Sequence, residues 1–162
     1  MSVSYHPNGS ISGEEWLKNG KLHRFAGPAM TAYYADGSKG VWWFLDGKVH
    51  RFAGPAYVSY YKDGSKCVEK WCLDGKVHRL NSPAQISYYK NGSKSGEEWY
   101  FYGKRHCLNG PAFASYYEDG SKREENWFLD GKRHRLNGPA EITYYSDGAK
   151  MVESWCLDGK RI

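Results

Sequence analysis

The chain has 162 residues and a formal net charge of +5, and 17% of it is aromatic. This length fits one ordinary domain or one short repeat array. The charge is well short of that of a nucleic-acid-binding tail, and no stretch approaches the ~18 apolar residues of a membrane span. The first ten residues lack the regions of a signal peptide, and the four cysteines follow no CxxC spacing. We therefore expect a cytoplasmic protein without a transmembrane segment or a disulfide framework.

The main signal in the sequence is an internal repeat. The glycine before the lysine of a recurring turn returns every 28 residues, except for a first step of 27. These glycines are Gly20, Gly47, Gly75, Gly103, Gly131 and Gly159. The unit reads PAxxxYYxDGSKxxExWxLDGKxHR[FL]xG, and no linker interrupts it. We predict a single repeat domain over 1–162, with repeats at approximately 1–28, 29–55, 56–83, 84–111, 112–139 and 140–162.

Each repeat begins with a strand-like run, for example residues 56–61, in which apolar and polar residues alternate. Ala56 and Val58 belong to its more aliphatic face, which we predict to be the core face. An Asp-Gly turn follows, then a run over 65–73, then a second Asp-Gly turn. Both turns are predicted to be type I′, because Asp-Gly suits the positive φ that this turn needs at both central residues.

Stacking by translation requires an even number of antiparallel strands in each repeat. The segment KxHR[FL] after the second turn is therefore predicted to be a connection, or the start of the next strand bent at Gly-Pro. The predicted fold class is all-β: a single-layer antiparallel β-hairpin repeat array with about two strands per 28-residue unit.

The tryptophans and one short repeat carry two further predictions. One tryptophan recurs in every repeat, and large rings at such a spacing are typical of a core, so a buried ladder is expected. Its members are Trp16, Trp43, Trp71, Trp99, Trp127 and Trp155. In repeat 29–55 the second strand is one residue short and carries Trp42 beside Trp43. A slip of one residue turns side chains to the opposite face, so we expect a bulge or distortion there.

Segments such as YYADGSKGVWWFLDGKVHR, from Tyr33 to Arg51, resemble MORN repeats, which read roughly YxGxWxxGKxHGxG. The resemblance spans all six repeats and implies a solenoid of β-hairpins that binds proteins or acidic lipid headgroups and promotes dimerisation. The chain departs from MORN repeats in its period, which is 28 rather than about 23. It also has arginine, or Cys107, in place of the glycine after the histidine. The HRxxGPA form is similar to repeats of bacteriophage and large DNA-virus proteins, which implies a viral protein that engages a host factor.

The recurring His-Arg step is the polar feature that most needs an explanation. The step consists of His23, His50, His78, His106 and His134, followed by Arg24, Arg51, Arg79 and Arg135, with Cys107 as the exception. Equivalent histidines of a stacked array should be ~9.5 Å apart, too far to share one metal ion. Near-identical copies along a surface also lack the unique pocket that catalysis requires, and no P-loop or GxSxG motif occurs. We expect no enzyme activity, no metal and no cofactor.

Two interpretations of the His-Arg step stay open. In the structural one, histidine bonds a turn carbonyl and arginine pairs with a glutamate such as Glu69, Glu98, Glu125 or Glu153. In the functional one, a row of guanidinium groups receives carboxylates or phosphates.

The predicted function is binding of a partner protein, because tyrosine and arginine are enriched at interface hot spots. The candidate surface combines the His-Arg row with Tyr34, Tyr61, Tyr89, Tyr117 and Tyr145, beside the variable positions Met30, Tyr57, Gln85, Phe113 and Glu141. A homodimer is a further expected assembly. The alternative is an anionic ligand (an acidic lipid headgroup, a nucleotide or nucleic acid) along the His-Arg and lysine rows, with binding that weakens steeply as salt rises.

Overall fold

The computed structural model describes residues 1–162 and contains strands, turns and loops but no helix. It divides into an N-terminal half, Met1–Lys76, and a C-terminal half, Val77–Ile162. The strands up to the boundary are β1 (Ser2–Tyr5), β2 (Ile11–Glu15), β3 (Leu17–Lys18), β4 (Lys21–Leu22), β5 (Met30–Tyr33), β6 (Lys39–Trp42), β7 (Phe44–Leu45), β8 (Lys48–Val49), β9 (Tyr57–Tyr60), β10 (Lys66–Lys70), β11 (Cys72–Leu73) and β12 (Lys76–Val77). The strands beyond it are β13 (Gln85–Tyr88), β14 (Lys94–Glu98), β15 (Tyr100–Phe101), β16 (Lys104–Arg105), β17 (Phe113–Tyr116), β18 (Lys122–Asn126), β19 (Phe128–Leu129), β20 (Lys132–Arg133), β21 (Glu141–Tyr144), β22 (Lys150–Ser154), β23 (Cys156–Leu157) and β24 (Lys160–Arg161).

The long strands of each half form an antiparallel sheet in which sequential hairpins lie side by side. In the N-terminal half the order is β1-β2-β5-β6-β9-β10, and in the C-terminal half it is β13-β14-β17-β18-β21-β22. Each repeat therefore adds two strands to the sheet, and equivalent strands run in the same direction. The prediction of an all-β array of hairpin repeats is confirmed.

The two Asp-Gly turns of a repeat adopt different conformations. In the second turn both central residues have positive φ, for example 49° at Asp74 and 81° at Gly75, as type I′ requires. In the first turn only the glycine does, with φ of 86° at Gly64. There the aspartate instead accepts hydrogen bonds from the following serine, 2.9 Å from the Ser65 N–H and 2.6 Å from its hydroxyl. The prediction of type I′ is right for the second turn and wrong for the first.

A β-bulge follows the first turn in every repeat except 29–55. Between β9 and β10, Lys66 pairs with Tyr60 and Val68 pairs with Ser59, so Cys67 has no partner across the hairpin. The same irregularity occurs in the other four repeats. In β5–β6 the pairing runs without a shift. The expected distortion beside Trp42 is therefore absent, because the missing residue is the one that bulges elsewhere.

A second, smaller hairpin completes each repeat. In the pairs β7–β8 and β19–β20, two residues on either side of the second turn form a two-stranded ladder. The run predicted as one strand over 65–73 is broken at Trp71, and the segment predicted as a plain connection begins with a short strand. Successive small hairpins are linked through the backbone, as from the Gly131 N–H to the Arg105 carbonyl at 2.9 Å.

The core is thin and lies on the predicted aliphatic face. The alanine of the Pro-Ala pair is fully buried in five repeats, and the position two residues later is buried at Val58, Ala114 and Ile142. No large side chain is fully buried. The expected tryptophan ladder is wrong in this respect, because none of the six tryptophans is a core residue and Trp155 is 42% exposed. Because the core contains so little apolar volume, polar contacts between repeats contribute much of the stability of the fold.

Candidate functional site

The arginine of the His-Arg step lies over the tryptophan ring of its own repeat. Cζ of Arg51 is 4.0 Å from the ring centroid of Trp43, and its Nη1 donates a hydrogen bond to the Pro55 carbonyl at 3.1 Å. A Cβ added to Gly54 would lie 3.2 Å from Cζ, so the glycine leaves just enough room for the guanidinium. Equivalent contacts hold Arg24 and Arg135, and Arg79 donates to the Pro83 carbonyl at 3.2 Å.

The histidine of the step connects its repeat to the second turn of the next one. Nδ1 of His23 lies 2.8 Å from Oδ1 of Asp46 and 3.2 Å from its backbone nitrogen. His50, His106 and His134 contact Asp74, Asp130 and Asp158 in the same way. The step is thus held by structural contacts, but with partners other than those expected. The glutamates named in the structural interpretation pair mainly with first-turn lysines, as Glu125 does with Lys122 at 2.7 Å.

The tyrosine pair also links successive repeats. The hydroxyl of Tyr144 donates to Oε2 of Glu125, in the preceding repeat, at 2.7 Å. The second tyrosine of the pair reaches the next repeat: the Tyr89 and Tyr117 hydroxyls donate to the carbonyls of Tyr116 and Tyr144 at 2.7 and 2.9 Å. Tyr61 is half-buried, whereas Tyr34 and Tyr145 are each 49% exposed. The variable residues include Glu141, which forms an ion pair with Arg133 at 2.8 Å.

The most exposed apolar side chains occupy a position that the sequence interpretation did not select. It is the [FL] position directly after the His-Arg step, where Phe25 and Phe52 are 80% and 82% exposed in the N-terminal half. In the C-terminal half, Leu80, Leu108 and Leu136 are 66%, 77% and 76% exposed. Such a position could have been found from sequence, because a phenylalanine or leucine recurs there in five repeats.

The C-terminal half contains a half-open cavity of about 840 Å³. Its floor is the buried face of the sheet, where Ala114 is paired with Glu97 on one side and Glu125 on the other. Its wall includes Trp99, Pro111 and other residues of repeat 84–111. Only one of the step histidines, His106, lies there. No cluster of three or more metal-ligating side chains occurs in the structure.

The cavity coincides with the repeat that departs most from the consensus. Cys107 stands where the other repeats have the stacked arginine, so no guanidinium of the repeat covers Trp99. The second turn of the same repeat carries Tyr102 in place of aspartate, and its ring stacks on His78 with centroids 4.3 Å apart. Tyr102 keeps the positive φ of the turn, at 46°. The substitutions at Cys107 and Tyr102 therefore change side chains without changing the backbone conformation of the second turn.

Carboxylates and cations both lie around the cavity, and Glu97 and Glu125 pair with Lys94 and Lys122. Glu97, Glu125 and Asp130 line it, against Arg79 and Lys122 as cations. Burial, together with the neighbouring carboxylates of Glu97 and Glu125, raises the pKa of Tyr116 in the cavity wall to about 12. The phenol is therefore a neutral donor at physiological pH, and it donates to Oε2 of Glu97 at 3.1 Å. The arrangement suits a ligand with positive charge and an apolar or planar face.

Comparison with protein-family models and with curated proteins gives no match for this chain. The likeness to MORN repeats stays a prediction. No helix of the structure has the length and the apolar character that crossing a membrane would demand.

Proposed function

We propose that the protein is a non-catalytic scaffold that binds a partner protein in the cytoplasm through the apolar side chains after its His-Arg steps. In the C-terminal half these are Leu80, Leu108 and Leu136, and the observation that carries the proposal is their exposure of 66% to 77%. An exposed leucine side chain contributes favourable free energy only when another apolar surface covers it and removes it from water. The partner is accordingly a protein that presents apolar side chains.

The other constant positions of the repeat support this choice, because the fold already uses them. The arginines stack on tryptophan, the histidines hold the following turn, and two of the second tyrosines of the pairs donate to the next repeat. The [FL] position is the recurring apolar residue that adds nothing to the core. Apolar anchors surrounded by polar residues are typical of interface hot spots. The similarity of HRxxGPA to repeats of viral proteins makes a host protein the first partner class to test.

One observation favours the second candidate, an anionic ligand. The lysine of the second turn is exposed in every repeat, at Lys21, Lys48, Lys76, Lys104, Lys132 and Lys160. The arginines contribute less to this candidate than expected, since their guanidinium groups lie on tryptophan rings and donate to proline carbonyls.

The test is capture of proteins from an extract of the source cells by immobilised protein, quantified by mass spectrometry. We expect the triple variant Leu80→Ser, Leu108→Ser, Leu136→Ser to lose a protein that the wild type retains in about 0.5 M salt, where exposed charges are screened. The matched control replaces three exposed lysines, Lys104→Ser, Lys132→Ser and Lys160→Ser, and should retain it. Loss in the lysine variant and at high salt would instead establish the anionic candidate.

Sedimentation of the purified protein tests whether the partner is a second copy of the chain and not a different protein. If the wild type dimerises and the leucine variant is monomeric, the apolar side chains bind another copy rather than a different protein. In the capture experiment, equal retention of the partner by the wild type, the leucine variant and the lysine variant would reject the apolar position as a binding surface.

A further inference from the structure

In three repeats, the arginine of the His-Arg step fills the space above the recurring tryptophan. In repeat 112–139, Cζ of Arg135 lies 3.8 Å from the ring centroid of Trp127, and Nη1 is 3.0 Å from the Pro139 carbonyl oxygen. A Cβ added to Gly138 would be 3.1 Å from Cζ. Ring, carbonyl and glycine thus form a slot for a flat, cationic guanidinium. The same slot is occupied over Trp16 and Trp43.

Repeat 84–111 keeps the slot and lacks the arginine. Trp99, Gly110 and Pro111, the equivalents of the ring, the glycine and the acceptor, all line the 840 Å³ cavity. A Cβ added to Gly110 would meet no atom within 4 Å, whereas the equivalent glycines meet a guanidinium. Cys107 has one heavy atom beyond Cβ and is too short to fill this space.

We propose that the cavity over Trp99 binds a guanidinium group that comes from outside the chain. The slot is the one in which the protein holds its own guanidinium groups in other repeats, so its geometry already fits a planar cation. The lining also carries the carboxylates of Glu97, Glu125 and Asp130, which pair with Lys94, Lys122 and His106. An ammonium group has no flat face for the ring, so the site selects guanidinium over lysine.

The inference rests on the proposed function in one respect, since it names a group that the partner protein would supply. Leu80 and Leu108 line the same cavity and are among the exposed leucines. A partner whose arginine enters the cavity would cover both leucines with its neighbouring side chains. Free arginine or a small guanidine compound offers the same chemistry, and the experiment separates these sources.

The experiment is a titration of the ¹⁵N-labelled full chain with Nα-acetyl-arginine amide, followed through the tryptophan indole N–H signals. We expect one signal, assigned to Trp99 by its loss in Trp99→Phe, to shift in a saturable way. The neutral citrulline analogue and the lysine analogue should bind at least tenfold more weakly. Free L-arginine distinguishes the sources: tighter binding than the capped amide indicates a small-molecule ligand, and equal or weaker binding indicates an arginine side chain of a polypeptide.

Substitutions at one position provide the decisive comparison. Cys107→Arg restores the residue of the other repeats, fills the slot and should weaken binding at least tenfold. Cys107→Ser, the matched control, leaves the slot open and should bind as the wild type does. Arg135→Cys should create a second site over Trp127, so that two indole signals shift.

Three results would overturn the proposal: no saturable shift up to the solubility of the probe, equal binding by Cys107→Arg and Cys107→Ser, or equal binding of the arginine and citrulline analogues. These probes are too small to cover the exposed leucines. The titration therefore fails or succeeds independently of the capture experiment, and either proposal can be rejected while the other stands.

Discussion

Removing one stacked arginine measures how much the slot contributes to stability. Arg51→Ala deletes a cation–π contact, worth ~0.5–2 kcal/mol, and a hydrogen bond from a charged donor, worth ~1.5–3 kcal/mol. Because Arg51 is half-buried, water replaces part of both contacts. We therefore take the lower ends and expect a loss of about 2 kcal/mol in the free energy of unfolding. For a chain of this size that corresponds to a Tm lower by about 4–8 °C.

The assay is unfolding in urea, followed by circular dichroism. Urea is preferred because guanidinium, the usual alternative, carries the group that the substitution removes. Lys48→Ala is the matched control, since it removes an exposed cation from the same repeat and should change stability by less than ~0.5 kcal/mol. Arg51→Lys should recover less than half of the loss, because an ammonium cannot stack flat on Trp43.

The reasoning would be refuted by an Arg51→Ala variant within ~0.5 kcal/mol of the wild type. It would also be refuted by an Arg51→Lys variant as stable as the wild type, which would mean that charge alone matters. The reverse substitution, Cys107→Arg, should raise the Tm, since it supplies a contact that repeat 84–111 lacks.

Three further predictions concern other parts of the repeat. Gly40→Ala should destabilise the protein by ~1–3 kcal/mol in urea unfolding, because the new Cβ would lie 2.5 Å from a Trp42 ring atom. His50→Ala should lower the free energy of unfolding by ~1–2 kcal/mol, because the hydrogen bond between the buried imidazole and the exposed Asp74 carboxylate of the next turn is lost. In thermal melts, stability should fall as the pH rises from 10 toward 12, because the phenol of Tyr116, with its raised pKa, keeps its proton in the folded state while the unfolded chain releases it. Tyr116→Phe should remove that share of the fall.

Each of these has its own control. Gly96→Ala should be tolerated better than Gly40→Ala, because its nearest neighbour would be a carbonyl oxygen at 3.4 Å. Equal costs for the two would contradict the role assigned to the Trp42 ring. A His50→Ala variant as stable as the wild type would show that the contact between His50 and Asp74 does not contribute to stability. An alkaline transition unchanged in Tyr116→Phe would assign it to other groups, such as Tyr144, whose pKa is raised to about 12 by burial and by Glu125.

The hairpin array could be predicted from the sequence because its signals are local and recur. Asp-Gly turns and alternating runs specify two strands per repeat, and repetition makes the pattern unambiguous. The first turn was predicted wrongly because the dipeptide is the same in both turns. In the first turn the Gly64 N–H donates to the Tyr61 carbonyl, so the glycine closes the turn and is not one of its two central residues. The bulge was predicted in the wrong repeat, since a length difference alone does not say which length is irregular.

The candidate site was only partly predictable. The sequence identified the His-Arg step, but not that arginine lies on a tryptophan, because that contact needs the chain to turn back after the small hairpin. Cys107 was visible as an exception to the repeat. Its consequence, an open slot over Trp99, depends on the walls that Gly110 and Pro111 provide. Exceptions to a repeat are therefore the positions at which such a sequence should be searched for ligands.

The bulge after the first turn gives the array a place where chain length can vary. Inserting or deleting one residue at the bulge does not change the face of the sheet on which each later side chain lies. The pairing of β5 with β6, which runs without a shift, shows this. Elsewhere in the strands the same event would exchange buried and exposed residues. Repeats of 27 and 28 residues can consequently stand next to each other in one array.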